Sequence, residues 1–217
     1  MHAINPSKWL SEMRPTPTIL RLTITLMILD SICGWIEPSL IDLWDAAFRS
    51  IFASSDSAAG PFSIPFFAYR LIRFFISLFL IASWNAVWIH HFHFQRLRWY
   101  YTASFYVQCG FIVYFSILAT LSVLYMLFLA MPLNELGVYL LRIDAVVFNI
   151  AFIIALIQLS NIESNLFGLK KWYIILGIIM TALSLFGISF LLYPCGLIYL
   201  VVQILLLQRV LKGSYSN

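Results

Sequence analysis

Long runs of apolar residues, separated by short polar connections, follow one another along almost the whole chain. A hydrocarbon core about 30 Å thick requires roughly 20 apolar residues per crossing helix, and six runs approach or reach that length. They predict transmembrane helices at residues 18–36, 70–91, 104–131, 138–160, 172–192 and 195–210. The expected fold class is therefore all-α, a polytopic bundle of six transmembrane helices.

Prolines and glycines set the expected helix boundaries. Pro132 is predicted to close the third helix, because an interior proline removes a backbone hydrogen bond. Pro194 and Gly196 are predicted to form a tight turn, so that the fifth and sixth helices return as a helical hairpin. Six crossings leave only short connections and one longer loop, at 37–67. We therefore expect residues 1–217 to form a single membrane domain.

One part of the longest connection, residues 39–53, has the clearest amphipathic pattern in the sequence. Its apolar residues follow the helical i, i+3, i+4, i+7 spacing, while Asp45 and Arg49 face the other way. The segment is too short and too charged to cross a bilayer, which predicts a helix lying in the outer interface. A lid packed on the bundle is the alternative. The apolar stripe consists of Leu40, Leu43, Trp44, Phe48, Ile51 and Phe52.

Composition and charge agree with a membrane location. With 62% hydrophobic and 10% charged residues, the chain is not an ordinary soluble domain. Its net charge of +4 indicates no nucleic-acid partner, because the basic residues border apolar segments, where orientation and lipid headgroups explain them.

The distribution of basic residues predicts the orientation. With the N-terminus in the cytoplasm, nine basic residues lie inside and four outside, which is the positive-inside bias. Both termini are therefore expected in the cytoplasm of a bacterial inner membrane. The inner set is Lys8, Arg14, Arg21, Arg96, Arg98, Lys170, Lys171, Arg209 and Lys212, and the outer set is Arg49, Arg70, Arg73 and Arg142.

A few polar side chains lie within the apolar segments, where burial in lipid is costly. Arg142 and Asp144 are two residues apart, so on a helix they point about 200° apart and cannot readily pair. One interpretation is a polar path for ions or protons. The other is that Arg142 extends to the surface while Asp144 bonds a neighbouring helix. The candidates for a polar path or inter-helix contacts are Asp30, Arg142, Asp144, Asn149 and Gln158.

A histidine cluster, His90, His91 and His93, precedes the third helix. Histidine binds metals and haem iron, but the remaining histidine is His2, and no Cys, Asp or Glu lies nearby to complete a metal shell. We expect no metal and no cofactor, and interpret the cluster as a polar helix end. A metal- or haem-binding subunit is the alternative. The neighbouring Trp84, Trp88, Trp99, Tyr100 and Tyr101 predict an interfacial aromatic belt.

Small residues recur at helical spacing in the fifth segment, at Gly177, Thr181, Ser184 and Gly187. Such a face favours close packing between helices. The three cysteines, Cys33, Cys109 and Cys195, are far apart in apolar sequence and are interpreted as packing residues.

The sequence contains no complete enzyme signature, neither a P-loop nor GxSxG, HExxH or GxGxxG. We therefore expect no enzyme but a non-catalytic integral subunit or scaffold of a larger membrane assembly. Its expected partners are the lipid bilayer and other integral membrane subunits. The alternative is a small carrier or channel for an ion or small solute, in which the intramembrane polar residues line the path.

Overall fold

A computed structural model describes residues 10, 12–52, 64–123 and 127–213, and every regular element within these ranges is helical. The all-α fold class is therefore confirmed for the described part of the chain. The long helices are α1 (Pro17–Phe52), α2 (Ile64–Ala86), α3 (Arg98–Val123), α4 (Leu127–Ser160), α5 (Lys170–Leu185) and α6 (Ser189–Gly213). A π-helical turn (Val87–His91) and a 3-10 turn (Gln95–Leu97) follow α2, and a 3-10 turn (Leu166–Gly168) follows α4.

Five of the described helical stretches are long and apolar enough to cross a bilayer, which is compatible with an integral membrane protein. They correspond to the first, second, third, fourth and sixth predicted crossings. The fifth, α5, has 16 residues and rises about 24 Å, which is shorter than the hydrocarbon core. The sixth crossing therefore stays a prediction. The five stretches are Pro17–Gly34, Tyr69–His91, Gln95–Leu121, Tyr139–Ser160 and Leu191–Gly213.

Helix α1 continues without a break from the first predicted crossing through the predicted amphipathic segment. Residues 39–52 are thus helical, as predicted, but the predicted connection after residue 36 is wrong. Pro38 cannot donate a backbone hydrogen bond. The stretches on both sides of it favour helix, so a single long helix loses only the bond that a donor at this position would have made. The structure does not describe the side chains of the apolar stripe, so their place in the interface stays a prediction.

Two predicted helix ends are also wrong. Helix α3 ends at Val123, and Pro132 is instead the sixth residue of α4. Pro194 is likewise the sixth residue of α6 rather than part of a turn. Each proline removes one backbone hydrogen bond, and the apolar sequence on both sides still favours helix.

Gly187 explains where α5 ends. Its φ of 68° is left-handed, a conformation that glycine adopts without strain. The Gly187 N–H donates to the Ser184 carbonyl at 3.3 Å, and the next N–H, of Ile188, donates to the Leu183 carbonyl at 3.0 Å. This pair of bonds is the Schellman motif. Gly187 therefore ends α5, and the hairpin turn lies here rather than at Pro194.

The main hydrophobic core lies at the end of the bundle where α2 leads into α3 and α4 into α5. Trp84, Trp88 and Tyr101 are buried in it, so their predicted place in an interfacial belt is wrong. The Trp88 indole N–H donates to the Tyr101 hydroxyl at 2.8 Å, which satisfies a donor that burial would otherwise leave unpaired. A smaller cluster joins α2 and α3 further along, and its members are Phe74, Phe111, Phe115 and Leu118.

Basic side chains gather at the same end as the main core. Arg209 on α6 donates to the backbone carbonyl of Phe167, and Lys170 on α5 donates to that of Ile162. Both bonds tie these helices to the connection after α4. This grouping agrees with the predicted orientation, which itself stays a prediction. We call this the basic end, defined by Arg96, Arg98, Lys170, Lys171, Arg209 and Lys212.

Candidate functional site

Three adjoining cavities lie along the bundle, the first beside the main core and the third on the outer side of α3 and α4. The first, about 240 Å³, is lined by all six helices and contains Asp30 and Gln203. The second, about 270 Å³, lies between α2, α3 and α4 and contains Asp144; we call it the central cavity. The third, about 440 Å³, is an open groove between α3 and α4 that reaches Tyr114, and the exposed side chains of Ile143 and Val147 form part of its wall. The central cavity shares Leu80, Ile81 and Tyr100 with the first and Val107, Asp144 and Phe148 with the third.

Asp30 in the first cavity is held by Arg73 of α2. The Asp30 Oδ1 lies 3.1 Å from both the Nε and the Nη2 of Arg73, and each side chain is about a quarter exposed. Arg73 is the tenth residue of α2. The available signal for this partner was a charge of opposite sign in the next apolar segment, whose two basic residues are Arg70 and Arg73.

Asp144 faces the central cavity and is half-buried. It forms no salt bridge or hydrogen bond with any residue in the described ranges. The Ser104 side chain is 7% exposed, and its hydroxyl lies beside Tyr100 without reaching hydrogen-bond geometry. The Gln108 Oε1 is also buried and without a described partner. Leaving such a group unpaired costs about 1–3 kcal/mol, so the cavity presents polar groups that a bound molecule would satisfy.

The polar lining contributed by α3 was not predicted. Tyr100, Ser104 and Gln108 are spaced four residues apart, so they lie on one face of the helix. The predicted aromatic belt took Tyr100 for an interfacial residue. A polar residue at every fourth position of an apolar helix was the signal that could have revealed the face.

The other predicted polar residues make contacts away from these cavities. The Asn149 Nδ2 on α4 donates to the Ser184 Oγ on α5 at 3.3 Å. The Gln158 Oε1 on α4 accepts from the indole N–H of Trp99 on α3 at 3.0 Å. Arg142 is exposed and, two residues from Asp144, points away from the central cavity. Of the five predicted candidates, Asp30 and Asp144 are thus the two that line the cavities.

The histidine cluster is spread over an irregular segment. His91 ends the π-helical turn, and its ring packs edge-on against Phe92 at 4.8 Å and near Phe167 at 6.1 Å. His93 lies beyond the turn with a left-handed φ of 52°. Within the residues that the structure describes, no three His, Cys, Asp or Glu side chains lie close enough to hold a metal ion. The segment is a packed corner of the basic end.

Comparison with known proteins gives no match to a family model, to a curated protein or to a solved structure.

Proposed function

We propose that this chain is a membrane carrier or channel that binds a small polar solute inside its helix bundle. Asp144 carries the proposal, because it is a carboxylate on a cavity wall without a salt bridge to any described residue. A charged side chain in an apolar helix costs about 2.5–3.5 kcal/mol on insertion scales, and such residues commonly line substrate or ion pathways. Ser104 and Gln108 add two buried polar groups beside it.

The order of the cavities supports a path rather than an isolated site. Asp30 lies in the first cavity and Asp144 at the boundary of the second and third, so a carboxylate occurs at two successive stages. Tyr100 lies where the first two cavities adjoin, and Phe148 where the last two adjoin. Because each of these rings borders two cavities, we propose them as the gates of the path.

The second candidate is the non-catalytic subunit of a larger membrane assembly. The outward face of α4 favours it, because large apolar side chains form a continuous exposed stripe there. Lipid accounts for such a stripe equally well, so this candidate ranks below the carrier. The stripe consists of Tyr139, Ile143, Val146, Val147, Ile150, Ile154 and Ile157.

Cation flux into proteoliposomes tests the proposal. We expect the wild-type chain to pass a cation, measured with sodium-sensitive and pH-sensitive dyes and with radiolabelled choline. Asp144→Asn should abolish that flux, because it removes the cavity charge with little change in shape. Arg142→Gln is the matched control, since it removes an exposed charge two residues away and should leave flux unchanged. Absence of flux for all probes, together with co-purification of membrane proteins at fixed stoichiometry, would instead support the subunit.

A further inference from the structure

The central cavity has one charged wall and several apolar ones. Asp144 is the single charged side chain among its described lining residues, and none of them is basic. The Gln108 Oε1 accepts hydrogen bonds but cannot donate them, and it is buried without a described partner. Ser77 and Ser104 add two hydroxyls, and the other lining residues are apolar or aromatic, namely Leu80, Ile81, Tyr100, Val107 and Phe148.

We propose that this cavity binds a small organic ammonium ion. The inference rests on the proposed function and names the class of solute. Asp144 supplies the counter-charge, Gln108 accepts a hydrogen bond from an N–H or O–H of the solute, and the rings of Tyr100 and Phe148 contact its alkyl groups. Aromatic rings attract ammonium ions through their negative faces, and more strongly where water is excluded.

The same lining disfavours other solutes. An anion would meet the Asp144 carboxylate with no described basic residue in the cavity to offset it. A bare metal cation such as Ca²⁺ requires six to eight oxygen ligands, whereas five of the nine lining residues are apolar or aromatic. The volume of about 270 Å³ lies just under the usual range for ligand pockets, which suits a compact solute.

Arg73 does not supply the missing counter-charge. Its guanidinium bonds Asp30 in the neighbouring cavity and is absent from the described lining of the central cavity. The two carboxylates therefore differ in kind, since Asp30 is paired within the protein and Asp144 faces the cavity. A solute cation therefore fits beside Asp144 and not beside Asp30.

Equilibrium binding to the full chain in lipid nanodiscs tests the inference without requiring flux. The probes are choline and 3,3-dimethyl-1-butanol, which have the same shape but differ in charge. We expect saturable choline binding, and binding of the neutral isostere weaker by about tenfold or more. Asp144→Asn should weaken choline binding to a similar extent, Asp144→Glu should restore part of it, and Arg142→Gln should change it by less than about twofold.

The ring contacts have their own readout. Phe148→Leu should weaken choline binding several-fold and binding of the neutral isostere less, because the face of the ring attracts only the cation. Equal affinity for choline and its neutral isostere, or choline binding indifferent to Asp144→Asn, would overturn the inference. Asp144-dependent flux of Na⁺ or protons without choline binding would overturn it and leave the proposed function standing. Choline binding without any flux would overturn the proposed function and leave this inference standing.

Discussion

Asp30 on α1 and Arg73 on α2 form an ion pair inside the bundle, with both nitrogen contacts at 3.1 Å. A second contact joins the same helices, where the hydroxyls of Thr23 and Ser83 are hydrogen-bonded and both side chains are buried. From Thr23 to Asp30 the numbering rises on α1, while from Ser83 to Arg73 it falls on α2. The two helices are therefore antiparallel neighbours with a polar contact at two levels.

Breaking the ion pair should destabilise the fold. We expect Asp30→Leu and Arg73→Leu each to lower the free energy of unfolding by about 1–3 kcal/mol, because each removes one partner of a partly buried ion pair. The double variant should lose less than the sum of the two. Unfolding in mixed detergent micelles, analysed as a double-mutant cycle, measures this coupling. Strictly additive losses would mean that the pair contributes no coupling energy.

Asp144→Leu should behave differently from Asp30→Leu. Asp144 makes no salt bridge or hydrogen bond with a described residue, so its removal breaks no described contact, and a leucine suits an apolar helix. We expect the free energy of unfolding to stay within about 0.5 kcal/mol of the wild-type value, while cation flux is lost. A loss of stability equal to that of Asp30→Leu would show that Asp144 has a structural partner.

Gly177 on α5 allows a close approach of helices. A Cβ at this position would lie 2.7 Å from the Leu156 Cδ1 and 3.3 Å from the Tyr199 hydroxyl oxygen. Leu156 and Tyr199 are both buried, so Gly177→Ala should lower the free energy of unfolding by about 1–3 kcal/mol. The matched control is Gly110→Ala on α3, where a Cβ meets nothing within 4 Å.

The control substitution should act in the opposite direction. Gly110→Ala should raise the free energy of unfolding by about 0.5–1 kcal/mol, because alanine lowers the backbone entropy of the unfolded chain. Thermal unfolding of both variants in the same detergent gives the comparison. Equal shifts of the unfolding temperature would indicate that helix propensity, rather than the contact with Leu156, determines the effect at Gly177.

The end of α5 depends on the backbone conformation of Gly187. The φ of Gly187 is 68°, and this left-handed conformation crowds a Cβ. Gly187→Ala should therefore lower the free energy of unfolding by about 1–2 kcal/mol. Gly187→Asn should cost less, since asparagine tolerates that conformation better. Thermal unfolding of the two variants checks the order. If alanine were the milder substitution, the left-handed conformation would not be what ends α5.

The C-terminus reports whether α5 crosses the membrane. Reporter fusions after residues 60 and 134 should read outside, and fusions after Arg98 and Lys171 inside. A C-terminal fusion should also read inside, because α5 and α6 then add two crossings. An outside C-terminus would leave α5, with its 16 residues, as a helix that does not cross.

The apolar runs were sufficient to predict that the helices exist, since length and hydropathy are properties of each segment alone. The positions of their ends were harder to predict. Pro132 and Pro194 both indicated a boundary by local rules, yet each lies within a helix, as Pro38 does. A proline removes one hydrogen bond, and the favourable sequence on both sides outweighs that loss.

Partners between helices could not be predicted from spacing. Periodicity shows which residues share a face of one helix, but it does not show which face meets which neighbour. Asp30 was therefore identified without Arg73, and Asp144 without Gln108 and Ser104. The buried Trp88 was placed at a lipid interface for the same reason, because an aromatic residue near a helix end has the same pattern in either setting.

The unbroken length of α1 determines how far it reaches across the bilayer. Its 36 residues extend about 54 Å, or about 51 Å along the membrane normal at the average tilt of 20°, which exceeds a bilayer of 40–45 Å including headgroups. The contacts at Thr23 and Asp30 hold the first part of α1 against α2, and about 33 Å of helix remains between Asp30 and Phe52. At the average tilt this length carries residue 52 past the headgroups, which the water accessibility of a spin label at residue 52 would report.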